Sequence, residues 1–481
     1  MAGTVKMIDP YEPRRFDRTI FQRGTSGSEQ LAKKSPRIAR VLAYLHSSCQ
    51  AEKIRNVVKG TFPGMSFKHI ESPIAFAILQ DKDAPTVLFV DDRTIRDINR
   101  EDILSRYPNT KIILVSSNTG VCTTPFQDLV GVFPDVAKAD FIAAMAGLEC
   151  VDFEKTIHAF IRLSEDSMSI AIPSLTTKRF TVLVVDDEPR WFVEFLPKLY
   201  SIIGRRADIA IARTFEEATE FFKRHGRHVT CLITDMFFPK NGILTDDAGK
   251  ELVLTVNRVY PHTAIAIASK AGSGRELEDM ALVLSKGDSG AIDELHGFMQ
   301  NYAGFGDFII KVNDCETSAS SIIELRNLVG ISDIEDIERL AEHENFSTWL
   351  YMHGFYECGN EVKKIKLKGE NLRSALEHEL ASEISRLEKD PFVIADGSGM
   401  ELCNTHSLRE IQNAIKTLPP EMLEKWEEDD YLSLWLMRHG YTQLADELRS
   451  MQGSGEDVRI KVMAAFDRWI PHYERETSID S

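Results

Sequence analysis

The chain has 481 residues, 43% hydrophobic, 27% charged and 9% aromatic, which predicts about two to four domains, each large enough to bury a core. No apolar run approaches the ~18 residues of a membrane-spanning helix, and the first residues carry no apolar h-region. Neither membrane insertion nor secretion is expected, and a cytoplasmic location is. With 57 Lys and Arg against 74 Asp and Glu, the net charge of −17 repels a phosphate backbone and disfavours nucleic acid as a partner.

Residues 1–36 lack hydrophobic periodicity and read as a flexible tail. Residues 37–164 then alternate strand-like and helix-like segments: ARVLAYL, AEKIRNVVKG, SFKHI, PTVLFVDD, REDILSRY, TKIILVSS, LVGVF as fifth strand, and ADFIAAMAGL as helix. A Ser- and Thr-rich stretch around Pro173 predicts a linker over 165–179. Residues 180–313 repeat the alternation more strongly, with TVLVVDD, ADIAIA, VTCLITD, TAIAIAS and ALVLSK as strands between amphipathic helices. Uniformly apolar strands of this kind are buried on both faces, so two tandem α/β domains are expected, each a doubly wound, parallel, five-stranded sheet of flavodoxin-like type.

From 314 to 470 the pattern is helical throughout, predicting an all-α region, and 471–481 read as a second flexible tail. Segments 321–362 and 407–448 repeat one another at an offset of about 86 residues, pairing Ser321 with Ser407, Trp349 with Trp435 and His353-Gly354 with His439-Gly440. Helical spacing assigns the tryptophans to core packing, and the His-Gly pairs to helix ends. Seven cysteines, none in a CxxC pair, and the lack of an HExxH motif predict reduced thiols and no zinc site.

The chemistry concentrates at strand ends in the second α/β domain. Asp186 and Asp187 close its first strand and Asp235 its third, which are neighbours in a parallel sheet, so three carboxylates converge. Such crowding raises carboxyl pKa values and calls for a cation, for which hard oxygen ligands favour Mg²⁺. Ser269 closes the fourth strand and Lys286 the fifth, adding a hydroxyl and an ammonium that complete a cradle for a phosphoryl group.

On these residues, the stretch from about Thr181 to Ala303 resembles a response-regulator receiver domain of bacterial two-component signalling. VLVVDDEP is similar to that family's first-strand signature, and LITDMFFP to its phosphoacceptor strand, with Pro239 four residues after Asp235. The resemblance implies that Asp235 accepts a phosphoryl group from a histidine kinase or phosphotransfer protein. It also implies Mg²⁺ bound by Asp187 directly, by Asp186 through water, by Asp235 and by the carbonyl of Phe237, with Ser269 and Lys286 on the phosphoryl oxygens. The chain departs from the family in a longer loop, MFFPKNGILTDDAGKE, whose Asp246-Asp247 pair is expected to be solvated. Lys270 replaces a small residue, Gly287 a proline, and Val283 the switch aromatic.

The first α/β domain resembles a receiver without its site. His46-Ser47-Ser48 stand in place of the acid pair, Asp91 or Asp92 ends the third strand, Ser116 ends the fourth, and the fifth runs into Phe133-Pro134-Asp135 with no lysine. A structural or docking role is expected for it. The acidic C-terminal region, with its WEEDD run and no basic recognition helix, predicts protein–protein output and not DNA binding. The expectation is a self-phosphorylating signalling protein and not a metabolic enzyme, with an unknown output partner; the alternative is a phosphorylation-independent scaffold built from pseudo-receiver domains.

Overall fold

The computed structural model describes residues 38–479 except 63–64, 73–80, 147–151, 172–179, 205, 270–272, 287, 289, 396–400, 406, 420–421, 424–425, 427–430 and 451–454. The expected tail over 1–36, Lys270 and Gly287 lie outside the described residues.

In the first α/β unit the strands are β1 (Arg40–Tyr44), β2 (Ser66–His69), β3 (Thr86–Asp91), β4 (Thr110–Ser116) and β5 (Phe141–Ala144). Its helices are α1 (Ser48–Thr61), α2 (Arg100–Arg106), α3 (Thr119–Thr123), α4 (Phe126–Val132) and α5 (Phe153–Ile170). The sheet is parallel, in the order β2-β1-β3-β4-β5. LVGVF is therefore not a strand. Pro125 opens a helix there that leaves Val130 and Val132 exposed, while Phe141–Ala144, read from sequence as helix, pairs with β4.

The second unit contains β6 (Phe180–Val185), α6 (Pro189–Ile203), β7 (Ala207–Ala212), α7 (Phe215–His225) and β8 (Val229–Thr234). It continues with a short hairpin of β9 (Phe238–Lys240) and β10 (Ile243–Thr245), then α8 (Ala248–Val259), β11 (Ala264–Ser269), β12 (Leu282–Ser285) and α9 (Ala291–Asn301). The parallel sheet runs β12-β11-β8-β6-β7, the same flavodoxin-like order, with strands buried on both faces as their unbroken apolar runs require. The extra hairpin accounts for the long loop after Asp235. Its turn is Asn241-Gly242, both with positive φ (54° and 75°), the geometry of a type I′ turn.

The two units are not joined by a linker that starts at 165. Helix α5 continues through Ile170 and lies between them, packing on α1 of its own unit and on α6 and β7 of the next, and one buried apolar cluster runs through both. The polar residues that mimic a linker are buried: Asp166 Oδ2 accepts the Tyr200 hydroxyl at 2.7 Å and the Ile209 amide at 2.8 Å. Ile209 lies on edge strand β7, so a helix carboxylate satisfies an amide that no neighbouring strand reaches. Arg162 donates to the Gly204 carbonyl at 2.9 Å and stacks on the Tyr200 ring.

The C-terminal region is mainly helical, but it holds two hairpins where an all-α region was expected. β13 (Phe308–Val312) and β14 (Cys315–Ala319) precede α10 (Ile322–Ile331), α11 (Ile334–Glu342), α12 (Asn345–Met352), α13 (Tyr356–Lys364) and α14 (Gly369–Leu387). β15 (Phe392–Ala395) and β16 (Glu401–Thr405) precede α15 (Leu408–Thr417), α16 (Tyr431–Arg438), α17 (Thr442–Ser450) and α18 (Gly455–Ile479). Because α18 reaches Ile479, most of 471–481 is helix and not a tail.

The internal repeat thus extends beyond the helices to include a hairpin in each copy. Ser321 and Ser407 both cap a helix by accepting the amide three residues on. Trp349 and Trp435 stack on His353 and His439 at 4.0 and 3.9 Å, and each histidine Nδ1 lies 2.9 Å from its tryptophan's carbonyl oxygen. Gly354 and Gly440 follow with φ of 80° and 82°, ending each helix in the left-handed region. The histidines are helix-end residues.

Replacing Asp166 by alanine strands the Tyr200 hydroxyl and the Ile209 amide in the shared core. A loss of about 3 kcal/mol is expected, read by chemical denaturation of the full chain.

Candidate functional site

Parallel pairing aligns Val185 with Thr234, Thr234 with Ile267 and Ser269 with Ser285, so β6 and β8 end together and β11 and β12 run two residues further at the same edge. Asp186 and Asp187 follow β6, Asp235 follows β8, Ser269 ends β11 and Lys286 follows β12. All five expected side chains therefore come to the same edge. Asp186, Asp187 and Asp235 each offer an oxygen, and these lie within 4.8 Å of one another.

Their hydrogen bonds divide the work. Asp235 Oδ1 accepts the Ser269 hydroxyl at 2.5 Å and the Met236 amide at 2.6 Å, while Oδ2 takes the Lys286 ammonium. The same ammonium reaches Asp186 Oδ2 at 2.6 Å, bridging two of the three acids with its own side chain only 2% exposed. Asp186 Oδ1 accepts the Glu188 amide at 2.9 Å. Phe237 lies in the turn after Asp235, half-buried, with its amide 3.4 Å from Asp235 Oδ1.

Burial governs the electrostatics. It raises Asp186 to about 7 against the opposing pull of Lys286, and it raises Asp187 to about 7 with further help from the Asp235 charge. For Lys286, burial acts to lower the pKa, but Asp186 and Asp235 together outweigh it and raise it. One ammonium facing three buried carboxyls leaves the group short of positive charge. The donor set, all oxygen, converging and partly held by amides, fits a hard divalent cation such as Mg²⁺.

Residues not foreseen from sequence complete the site. The Trp191 ring lies 5.0 Å from Lys286 Nζ, and its indole N–H donates to Glu188 Oε2 at 3.1 Å. Gly249, in the first turn of α8, sits so close to the main chain after β8 that a Cβ there would meet the Asp235 carbonyl oxygen at 2.3 Å. A glycine opening a helix just after the acidic loop was the available signal. Asp246 and Asp247 are exposed and stand apart from the acid cluster, and Val283 is half-buried on β12.

The first unit keeps half of this arrangement. The Ser116 hydroxyl donates to Asp92 Oδ1 at 2.6 Å, as Ser269 does to Asp235, although strand register gives Asp91, the residue after the Val90 that pairs with Leu114, the place of Asp235. Asp91 instead accepts the amides of His46, Arg93 and Thr94. The Met145 amide donates to the Ser116 carbonyl as the Lys286 amide does to that of Ser269, which puts methionine where the ammonium would be. Since the fifth strand is Phe141–Ala144, the residues at its end are Met145 and Ala146, not Phe133-Pro134-Asp135.

No family model and no curated protein matches the chain. Among solved structures it is similar to a "probable two-component system response regulator/GGDEF domain protein", at 15% identity over 54% of this chain and 95% of that one, with a TM-score of 0.26. It is also similar to the E. coli RcsC C-terminus containing a phosphoreceiver domain, at 16% identity over 54% and 92%, with a TM-score of 0.21. The C-terminal domain of glucosamine-fructose-6-phosphate aminotransferase from Francisella tularensis aligns at 9% identity over 57% and 85%, with a TM-score of 0.18.

Two outcomes test that geometry. Because the folded-state values of Asp186 and Asp187 stand above the ordinary carboxyl value of 3.8, the apo chain loses stability as pH rises from there to about 7, where both ionise in the core. Bound Mg²⁺ requires the ionised forms, so it should raise the melting temperature at about pH 8 and leave it unmoved at about pH 5, checked by calorimetry. Gly249→Ala should push α8 away from the Asp235 main chain and lower Mg²⁺ affinity about tenfold in calorimetric titration, since supporting contacts of a metal site carry that much.

Proposed function

We propose that this chain is a receiver-type signalling protein in which Asp235 accepts a phosphoryl group. The observation that carries this reading is the shared environment of the Asp235 carboxylate: Ser269 on one oxygen, Lys286 on the other, and the Asp186-Asp187 pair alongside. An Asp235 oxygen attacks phosphorus, the bond from phosphorus to the donor's nitrogen or oxygen breaks, and the leaving group departs with the electron pair, leaving an acyl phosphate. The donor is a phosphohistidine of a histidine kinase or phosphotransfer protein, or a small acyl phosphate.

Asp186, Asp187, Asp235 and the Phe237 carbonyl would hold Mg²⁺, which would supply charge neutralisation for the phosphoryl oxygens. Lys286 transfers its ammonium from Asp235 Oδ2 to a phosphoryl oxygen, keeping its contact with Asp186, and the Ser269 hydroxyl turns from the carboxylate to the product. Trp191 and Glu188 hold the lysine's surroundings in place. Asp92 and Ser116 in the first unit lack both the acid pair and the ammonium, so that unit serves as structure and contact surface. Output passes through protein contacts of the C-terminal repeats, whose acidic surface makes DNA an unsuitable partner.

One observation favours a second reading, a phosphorylation-independent scaffold: Asp235 is only 7% exposed and already fully engaged by its neighbours. Incubation with Mg²⁺ and acetyl phosphate separates the two. Receiver chemistry gives a mass gain of about 80 Da, one phosphoryl group, that disappears in Asp235→Asn. An unmodified mass together with no Mg²⁺ binding favours the scaffold.

A further inference from the structure

The acidic edge of the second unit is touched by the first. Helix α4 begins at Phe126, and the Phe126 amide donates to the Asp187 carbonyl oxygen at 2.8 Å. That carbonyl belongs to the same peptide group as the Glu188 amide, which donates to Asp186 Oδ1 at 2.9 Å. One planar peptide is thus gripped at its oxygen by the first unit while its N–H orients a carboxylate of the acid cluster. The line continues, since Asp186 Oδ2 bonds Lys286 and Lys286 bonds Asp235. A hydrogen bond accepted at a peptide oxygen strengthens the donor at its nitrogen, so the grip at Phe126 acts on Asp186 and not only on the loop.

The contact is built, not incidental. The Phe126 ring lies 4.1 Å from the Arg213 guanidinium and 6.1 Å from the Phe192 ring, so residues following β7 and within α6 hold it from the second unit. Arg213 also donates to the Asp140 carbonyl at 2.6 Å, fixing the two units to each other beside the same point.

We propose that Phe126 is a positioning residue for the acid cluster: through its main-chain N–H, the first unit sets the geometry with which the second binds a divalent cation. The inference rests on the metal-binding reading of Asp186, Asp187 and Asp235. It makes the first unit part of the working site.

The test exploits the place of Phe126 at the first position of a helix. Proline suits that position, and Pro125 before it already has the extended conformation that a following proline demands (φ −55°, ψ 145°). Phe126→Pro removes ring and N–H; Phe126→Ala removes the ring alone. In calorimetric titration of the full chain with Mg²⁺, Phe126→Pro should bind about tenfold more weakly than Phe126→Ala at equal melting temperature without metal. Equal affinities of the two variants overturn the proposal. If the parent chain binds no Mg²⁺, the metal-binding reading itself fails and this inference with it. Hydrogen exchange on the parent chain gives a reading that needs no variant. Mg²⁺ should slow the Phe126 amide together with the Glu188 amide, and slowing at Glu188 alone overturns the coupling.

Discussion

Three buried carboxyl groups at one sheet edge, with a single ammonium that bridges two of them, set the electrostatic constraint on this molecule. Lys286 bridges Asp186 and Asp235 because removing an ammonium from water is tolerable only where opposite charge surrounds it. The same burial raises Asp186 and Asp187 to about 7, so the pair gains its negative charge only as pH approaches neutrality. The parallel sheet brings four strand ends to one edge, and α8 seats closely on the Asp235 main chain at Gly249.

The two α/β units share this constraint because they share a core. Helix α5 starts as the last helix of the first unit and serves as a covering helix of the second, with Asp166 taking up the edge of β7. A chain with two sheets of the same order has used one of them for chemistry-bearing side chains and kept in the other only the Asp92–Ser116 bond. The first unit has neither an acid pair nor an ammonium beside that bond. It meets its neighbour through the Phe126 amide on the Asp187 carbonyl and the Arg213 bond to Asp140.

The sequence makes the doubly wound sheets and the acid cluster legible because both are local: apolar strand runs, and carboxylates directly at their ends. What it hides is tertiary. Ser164, Glu165 and Asp166 read as the start of a linker, since nothing nearby in sequence shows the tyrosine and edge amide that receive Asp166. The hairpins had local signals in Asn241-Gly242 and Asn313-Asp314, all with positive φ, but their short strands are set among helical patterns that dominate the periodicity. Phe126 carried no signal at all, because its functional atom is a main-chain N–H and its partner lies in another unit.

The repeats have a consequence of their own. Trp349 gives its indole N–H to the carbonyl of Gly306, just beyond α9, and Trp435 gives its own to that of Asp390, just beyond α14. Each copy thus needs an acceptor from the segment made immediately before it. Both acceptors stand two residues before a hairpin, Gly306 before β13 and Asp390 before β15, so the same bond ties each tryptophan helix back to the residues that enter the hairpin.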